Sequence, residues 1–161
     1  MLIVLARHAE AAPAPPGGAD ADRPLTERGR EQAAEMGAGL ADLVARDVLP
    51  PPPLGLFHSN YRRARETAEG WAASMKVPTE TVTLLHPGSG ISDIDLVADL
   101  YGRPPALWMV AHQPAVGEIV RQLTRAIVAV PPGTVAMMEA SRIAPGQGRL
   151  IGLFPPGTIG G

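Results

Sequence analysis

Apolar positions along this chain come in short bursts with two different periods. The run LIVLA at 2–6 is continuous, as expected of a strand buried on both faces, and LGLFH at 54–58, TVTLL at 81–85 and ALWMVA at 106–111 have the same character. Between these bursts the spacing lengthens to that of a helix. Across 26–47, Ala33, Met36, Leu40, Leu43 and Val44 recur on one face behind Thr26, a residue type that caps helix N-termini. Across 60–75, Ala64, Thr67, Ala68 and Trp71 share a side, with Ser59 or Asn60 as the cap. SDIDLVADLYG predicts a short helix over 92–102 capped by Ser92 or Asp93. Another helix over 114–128 follows the most apolar strand, with Pro114 in its first turn. TVAMMEA (134–140) and GRLIGLF (148–154) predict two closing strands near a sheet edge. Core-facing spacing assigns Trp71 and Trp108 to packing.

Proline and glycine mark the connections. AAPAPPGGADADRP (11–24) fits neither helix nor central strand and reads as a surface loop after the first strand, and LPPPPLG (49–55) reads as a stiff connector. Neither is long enough to separate domains, so one domain over 1–161 is expected. Strands that alternate with helices need crossover connections, which predicts an α/β fold: a three-layer α/β/α sandwich with a mostly parallel central sheet. In such sheets ligands bind outside the carboxyl ends of the strands.

Composition narrows the function classes. A chain of 161 residues, 45 % of them hydrophobic, can bury about 70 % of its unfolded surface. A net charge of −2 and a pI near 6.1 leave no basic stripe, so no nucleic-acid partner is expected. No apolar run approaches the roughly 18 residues of a membrane span. No secretory leader pattern opens the chain, so a cytoplasmic location is expected. With no cysteine, disulfides, thiolate catalysis and cysteine-ligated zinc are excluded.

The carboxyl-end rule selects candidate chemistry. Arg7 and His8 follow the first strand, His58 and Ser59 the second, and His112 the most apolar one, so three of the four histidines fall on one rim. Two of these segments also open helices, whose free N–H groups attract anions. Arg63, in the first turn of its helix, joins Arg7 to make a cationic cup suited to a phosphoryl group, which an arginine fork binds through two oxygens at once. A neutral imidazole attacks phosphorus in line to form a phosphohistidine that water then cleaves. His8, at the end of a rigid strand, is the candidate nucleophile, and His112 the group that supports the phosphoryl oxygens.

In order and spacing, RHAEA (7–11), RPLTERG (23–29), SNYRRARETAE (59–69) and VAHQPAVGEI (110–119) resemble the four motifs of the histidine phosphatase superfamily, also called phosphoglycerate mutase-like. The resemblance covers about residues 2–125. Within the superfamily the chain is most similar to the short bacterial phosphohistidine phosphatases, which remove phosphate from histidine on signalling phosphotransfer proteins. The resemblance implies a phosphoglycerate mutase-like fold, with Arg7 and His8 as the family's arginine and nucleophilic histidine. It implies Arg63 as the second phosphate-binding arginine, since Arg63, Ala64 and Thr67 reproduce its R-A-x-x-T spacing, and His112 as the second histidine. Arg23 and Thr26 match a segment that lies near the site and contacts phosphate or substrate, and Ser59 belongs to the same rim. Also implied are a metal-independent reaction without cofactor, inorganic phosphate as product, and a phosphorylated protein, such as a histidine phosphotransfer domain, or a small phosphate ester as partner.

Departures from the family pattern carry information. Ala9 stands where the superfamily usually has glycine, and the phosphohistidine branch often shows alanine there; Asn60 stands where proline is common. The segment LLHPGSGISD (84–93) lacks an obvious match to the acidic residue that protonates the leaving group in many members, leaving His86, Asp93 and Asp95 within reach and no choice among them. That absence fits a leaving imidazole, because a P–N bond needs less protonation help than a P–O bond. Glu10, beside His8, is a candidate for setting its tautomer. Three other readings stand: a small-molecule phosphomonoesterase of the same fold, a phosphate-dependent binding module with little turnover, and a metal-dependent hydrolase built on His8, Glu10, His58 and His112. The neighbouring arginines count against the last by repelling a cation.

Overall fold

The computed structural model of the chain describes residues 1–159; positions 160 and 161, the last two of the expected domain, lie outside the described residues. Six strands, β1 (Leu2–Arg7), β2 (Leu56–His58), β3 (Thr79–Thr81), β4 (Ala106–Ala111), β5 (Val135–Ala140) and β6 (Gly148–Phe154), form one sheet in the order β3-β2-β4-β1-β5-β6. The first four strands run parallel, while β5 is antiparallel to β1 and β6 to β5. Helices α1 (Glu27–Ala45) and α2 (Arg62–Met75) cover one face, and α3 (Ile91–Leu100) and α4 (Ala115–Thr124) the other. The expected α/β/α sandwich forms, with its two closing strands at one edge. Among the described residues no helix is long and apolar enough to cross a membrane.

Burial explains why β1 is an uninterrupted apolar run. Ile3 and Leu5 join the core with Ile94, Val97, Val116 and Ile119, whereas Val4 and Ala6 join Met36, Leu40 and Trp71 on the opposite face. Helix α4 presents Ala115, Val116, Ile119, Val120 and Leu123 as one buried stripe. Each large apolar side chain removed from water stabilises the fold by about 1.5–3 kcal/mol. Trp71 and Trp108 are fully buried, as their spacing predicts. Helices α1 and α2 meet almost backbone to backbone: a Cβ on Gly37 would lie 2.7 Å from Trp71 Cα and 2.9 Å from the Gly70 carbonyl.

Several boundaries depart from the sequence expectation. The segment 81–85 is not a strand: β3 is the polar Thr79–Thr81, and a 3-10 turn follows at Thr83–Leu85. As the edge strand, β3 leaves its polar side chains at the surface, and the turn folds Val82 and Leu85 onto the core beneath α3 and α4. Helix α2 starts at Arg62 behind Tyr61, and Ser59 Oγ instead accepts the Tyr61 N–H at 3.3 Å. Helix α3 starts at Ile91 behind Gly90, and the Asp93 carboxylate reaches back to the Gly90 N–H at 2.8 Å, as a third-position acid does in a capping box. Helix α4 stops at Thr124 because Arg125 takes a left-handed conformation, φ 65°, and closes the last turn on the Arg121 carbonyl. The chain then turns back, and Val130 arrives beside Arg7, whose NH1 donates to its carbonyl at 3.0 Å.

Gly37→Ala, which places a methyl group against backbone that cannot swing aside, is expected to lower stability by about 1–3 kcal/mol. Urea unfolding measures this, and an unchanged midpoint would count against the close α1–α2 approach.

Candidate active site

The carboxyl ends of β1, β2 and β4 lie side by side. The His8 N–H bonds to the Ala111 carbonyl (3.0 Å) and the Ser59 N–H to the Val110 carbonyl (3.2 Å), so the ladder continues into the residues that follow the strands. Arg7, His8, His58, Ser59 and His112 are thereby set along one rim. Thr67 ties α2 to this row: its hydroxyl accepts the Ala9 N–H at 3.0 Å and donates to the Arg63 carbonyl at 2.7 Å. The R-A-x-x-T spacing thus has a mechanical meaning, since the threonine one turn after Arg63 fastens that helix to the residue after His8.

His8 is 8 % exposed and bonded at both ring nitrogens. Arg63 Nε–H donates to Nε2 at 3.1 Å, and a guanidinium only donates, so Nε2 carries the lone pair. The proton sits on Nδ1, which donates to the Ala9 carbonyl at 2.7 Å. Burial pushes His8 down to about 4, with the charges of Arg63, Arg7 and Arg23 acting in the same direction and the Ala9 carbonyl opposing. The His112 ring lies 5.2 Å away, is 1 % exposed, and is pushed down to about 3 by burial, then by His8 and Arg63. Arg7 is likewise lowered by burial and then by repulsion from Arg63. Both ring nitrogens of His112 and Nε of Arg7 are buried without a hydrogen-bond partner among the described residues. Buried polar groups are nearly always paired, and although Trp71 Nε1, Trp108 Nε1 and Thr134 Oγ1 are orphaned too, the orphaned nitrogens of His112 and Arg7 lie beside two guanidinium groups, which makes this end of the sheet the candidate anion site.

The remaining candidates divide. Arg23 stands at the mouth, donating from Nε to the Ala12 carbonyl (2.8 Å) and from NH1 to Asp20 (3.2 Å). Thr26 caps α1 by accepting the Gly29 N–H (2.9 Å) and donates to Glu10 Oε1 (2.7 Å); Glu10 is thus bound to Thr26 while the Ala9 carbonyl holds the His8 tautomer. Ser59 and His58 are buried on the rim, His58 Nδ1 lying 2.9 Å from the Ser59 carbonyl. Of the three candidate acids, Asp93 holds Gly90, Asp95 pairs with Arg103 (2.9 Å), and the exposed His86 accepts the Gly88 N–H (3.1 Å). Among the described residues no three His, Cys, Asp or Glu side chains group as a metal site needs, because Glu10 and His58 are directed elsewhere.

Two residues that the sequence reading passed over reach the cup. Asp20, from loop 11–24, places one carboxylate oxygen 3.0 Å from Arg63 NH2 and the other 3.2 Å from Arg23 NH1, and its carbonyl accepts Arg63 NH1 at 2.7 Å. Burial acts to raise the Asp20 carboxyl, but hydrogen bonds from Arg63 and Arg23 outweigh it and hold it below the ordinary value. Tyr61 sets its ring edge-on to His112, centroids 4.7 Å apart, with the Arg63 guanidinium 4.8 Å over its face. Their signals in sequence are weak: an acid three residues before Arg23 in a 3-10 turn, and an aromatic two residues before Arg63.

Thr67→Val orphans the buried Ala9 N–H and is expected to lower stability by about 1–3 kcal/mol and to slow turnover, as denaturation and rate assays on the same preparation can show. Both imidazoles are neutral when folded, whereas an unfolded histidine titrates near 6.5. The unfolded chain therefore binds more protons below that pH, so this stability is fully present above pH 6.5 and lost as pH falls toward about 4 for His8 and 3 for His112. Urea midpoints are expected to drop between pH 7 and 5, and His112→Phe to flatten that slope; an unchanged slope in the variant sinks the assignment.

The family described as the histidine phosphatase superfamily (branch 1) matches residues 3–86. No curated protein matches the chain. Among solved structures the chain is similar to the protein histidine phosphatase SixA complexed with tungstate, at 20 % identity and a TM-score of 0.79, with 97 % of each chain covered. It is similar also to the Agrobacterium tumefaciens protein assigned as a phosphohistidine phosphatase SixA (22 % identity, TM-score 0.73, 96 % of this chain and 98 % of that one). The mycobacterial glucosyl-3-phosphoglycerate phosphatase shares the fold at 15 % identity and a TM-score of 0.66, with 93 % of this chain and 96 % of that one covered. At these identities the structural likeness is one of fold, while the family match spans more than half of the sequence and includes Arg7, His8 and Arg63. With that match and the α/β/α sandwich that carries it, the chain belongs to branch 1 of the histidine phosphatase superfamily.

Proposed function

We propose that the 161-residue chain is a single-domain, metal-independent phosphatase that acts through a covalent phospho-His8 intermediate, with a phosphohistidine-bearing protein as substrate. The observation that carries this reading is the lone pair on His8 Nε2, neutral at physiological pH and held beside the guanidinium groups that an anion would meet. A phosphoryl group entering the cup takes hydrogen bonds from Arg7 and Arg63. Arg63 Nε–H, released from His8 as its lone pair attacks phosphorus, keeps its proton and turns its hydrogen bond to a phosphoryl oxygen. His112 supplies a further donor and, once an anion neutralises the local charge, a cation. Aimed donors of this kind each contribute about 10²–10³ to the rate. Water then cleaves the phospho-His8 bond and releases inorganic phosphate.

Two facts favour a P–N over a P–O substrate. Two of the candidate acids are bound elsewhere, Asp93 to Gly90 and Asp95 to Arg103, while His86 accepts the Gly88 N–H and acts on His112 only through its charge. The carboxylate that does reach the cup, Asp20, is held in its ionised form and has no proton to give. An alkoxide leaving group would suffer from both; an imidazole leaves without an enzyme acid. The fold shared with the histidine phosphatase SixA adds support.

His8→Ala is expected to abolish hydrolysis of a phosphohistidine peptide and of p-nitrophenyl phosphate, with EDTA without effect on the parent. Arg63→Ala and His112→Ala are expected to lower kcat by about 10²–10⁴. Arg62, an exposed neighbour paired with Glu66 at 2.5 Å, is the control, and Arg62→Ala should stay near the parent rate. Turnover surviving in His8→Ala would falsify the nucleophile assignment.

A further inference from the structure

We infer that Asp20 is a specificity-determining residue of this site, whose carboxylate selects phosphoryl groups leaving from a protonated imidazole over those leaving from an alkoxide or phenoxide. This deepens the phosphatase reading above and rests on it.

The geometry begins with one guanidinium. Arg63 reaches His8 through Nε and Asp20 through both terminal nitrogens, so nucleophile and carboxylate are fastened to the same rigid plane. Arg23 holds the second carboxylate oxygen. The loop that carries Asp20 is itself anchored: Ala12 and Pro24 share a backbone hydrogen bond, Ala11 bridges Leu25, and the Ala19 N–H binds the Asp22 carboxylate at 3.0 Å. Asp20 is therefore presented to the cup by a closed loop. Depth then decides what it meets. The Arg63 side chain is 6 % exposed and His8 8 %, whereas the Asp20 side chain is 59 % exposed, so the nucleophile lies at the floor and the carboxylate at the mouth. In-line attack from the floor sends the leaving group toward the mouth, where Asp20 stands.

Charge then separates the two substrate classes. A departing alkoxide or phenoxide gains negative charge beside a carboxylate that is itself negative, which raises the barrier. In a phosphohistidine whose distal ring nitrogen is protonated, the ring is cationic, and that N–H donates to Asp20. The His8 Nε2 lone pair forms the new P–N bond, and the old P–N bond breaks with its electron pair left on the substrate nitrogen. Because the distal nitrogen already bears its proton, the ring departs as neutral imidazole and takes no proton from the enzyme. Asp20 thus favours the protonated, reactive form of the substrate and supplies the selectivity that a general acid would otherwise oppose.

The test compares the parent, Asp20→Asn and Asp20→Glu on a phosphohistidine peptide and on p-nitrophenyl phosphate at one pH. In Asp20→Asn, kcat/KM for the peptide is expected to fall by about tenfold, as for loss of a hydrogen bond to a charged group, while that for the aryl ester rises. Asp20→Glu, which keeps the charge, should recover much of the original ratio. A parallel change on both substrates, or none on either, overturns the inference while leaving the phosphatase reading in place. A parent that hydrolyses the aryl ester and ignores phosphohistidine overturns the substrate reading and this inference together.

Discussion

The hydrogen bond from Arg63 Nε to His8 Nε2 joins residues 55 positions apart at 3.1 Å, and its direction sets the chemistry of the whole rim. Because the guanidinium can only donate, His8 Nε2 stays unprotonated, and the ring's one N–H proton, on Nδ1, goes to the Ala9 carbonyl. The local fold serves that contact. β1 ends where its ladder to β4 delivers His8, α2 begins where Arg63 faces it, and the Thr67 hydroxyl bonds to both sides of the join. A shift of either element by one residue would turn the arginine or the imidazole away.

This arrangement is costly to fold and useful for that reason. Arg7 and Arg63 repel each other, the two imidazoles are buried beside them in neutral form, and the orphaned nitrogens of His112 and Arg7 face no partner among the described residues. Such local frustration is characteristic of sites whose missing partner is a ligand. In the proposed reaction a phosphoryl dianion would relieve this repulsion and accept from Arg7, Arg63 and His112 while His8 Nε2 keeps its lone pair. The stability that supports the site comes from the two apolar cores on either side of the sheet.

The site is assembled from two kinds of element. Floor residues sit on strand ends and a helix start, whereas the mouth is built from loop 11–24, held by Arg23 to Ala12 and by Asp20 to Arg63. Tyr61 braces the floor, since its ring touches His112 and lies under the Arg63 guanidinium.

Much of the fold was legible along the chain because burial on both faces leaves an unbroken apolar run, and β1 and β4 have one each. The rim was legible for a related reason: in a parallel sheet the residue after a strand is fixed in place, so Arg7, His8 and His112 could be placed together before any coordinates. Other features were not. TVTLL at 81–85 resembled a strand, yet edge position and a tight turn decided its form, and the end of α4 depended on a left-handed Arg125. Asp20 was illegible because a loop residue's reach depends on how the loop closes, and that closure is made of contacts to distant residues such as Arg63. By itself the sequence determined where the buried strands β1, β2 and β4 end and which helices carry cations, since periodicity and local propensity act over a few positions. Only the tertiary structure decided which lone pair faces which guanidinium and which carboxylate joins them, because those are distances between residues that the chain keeps far apart.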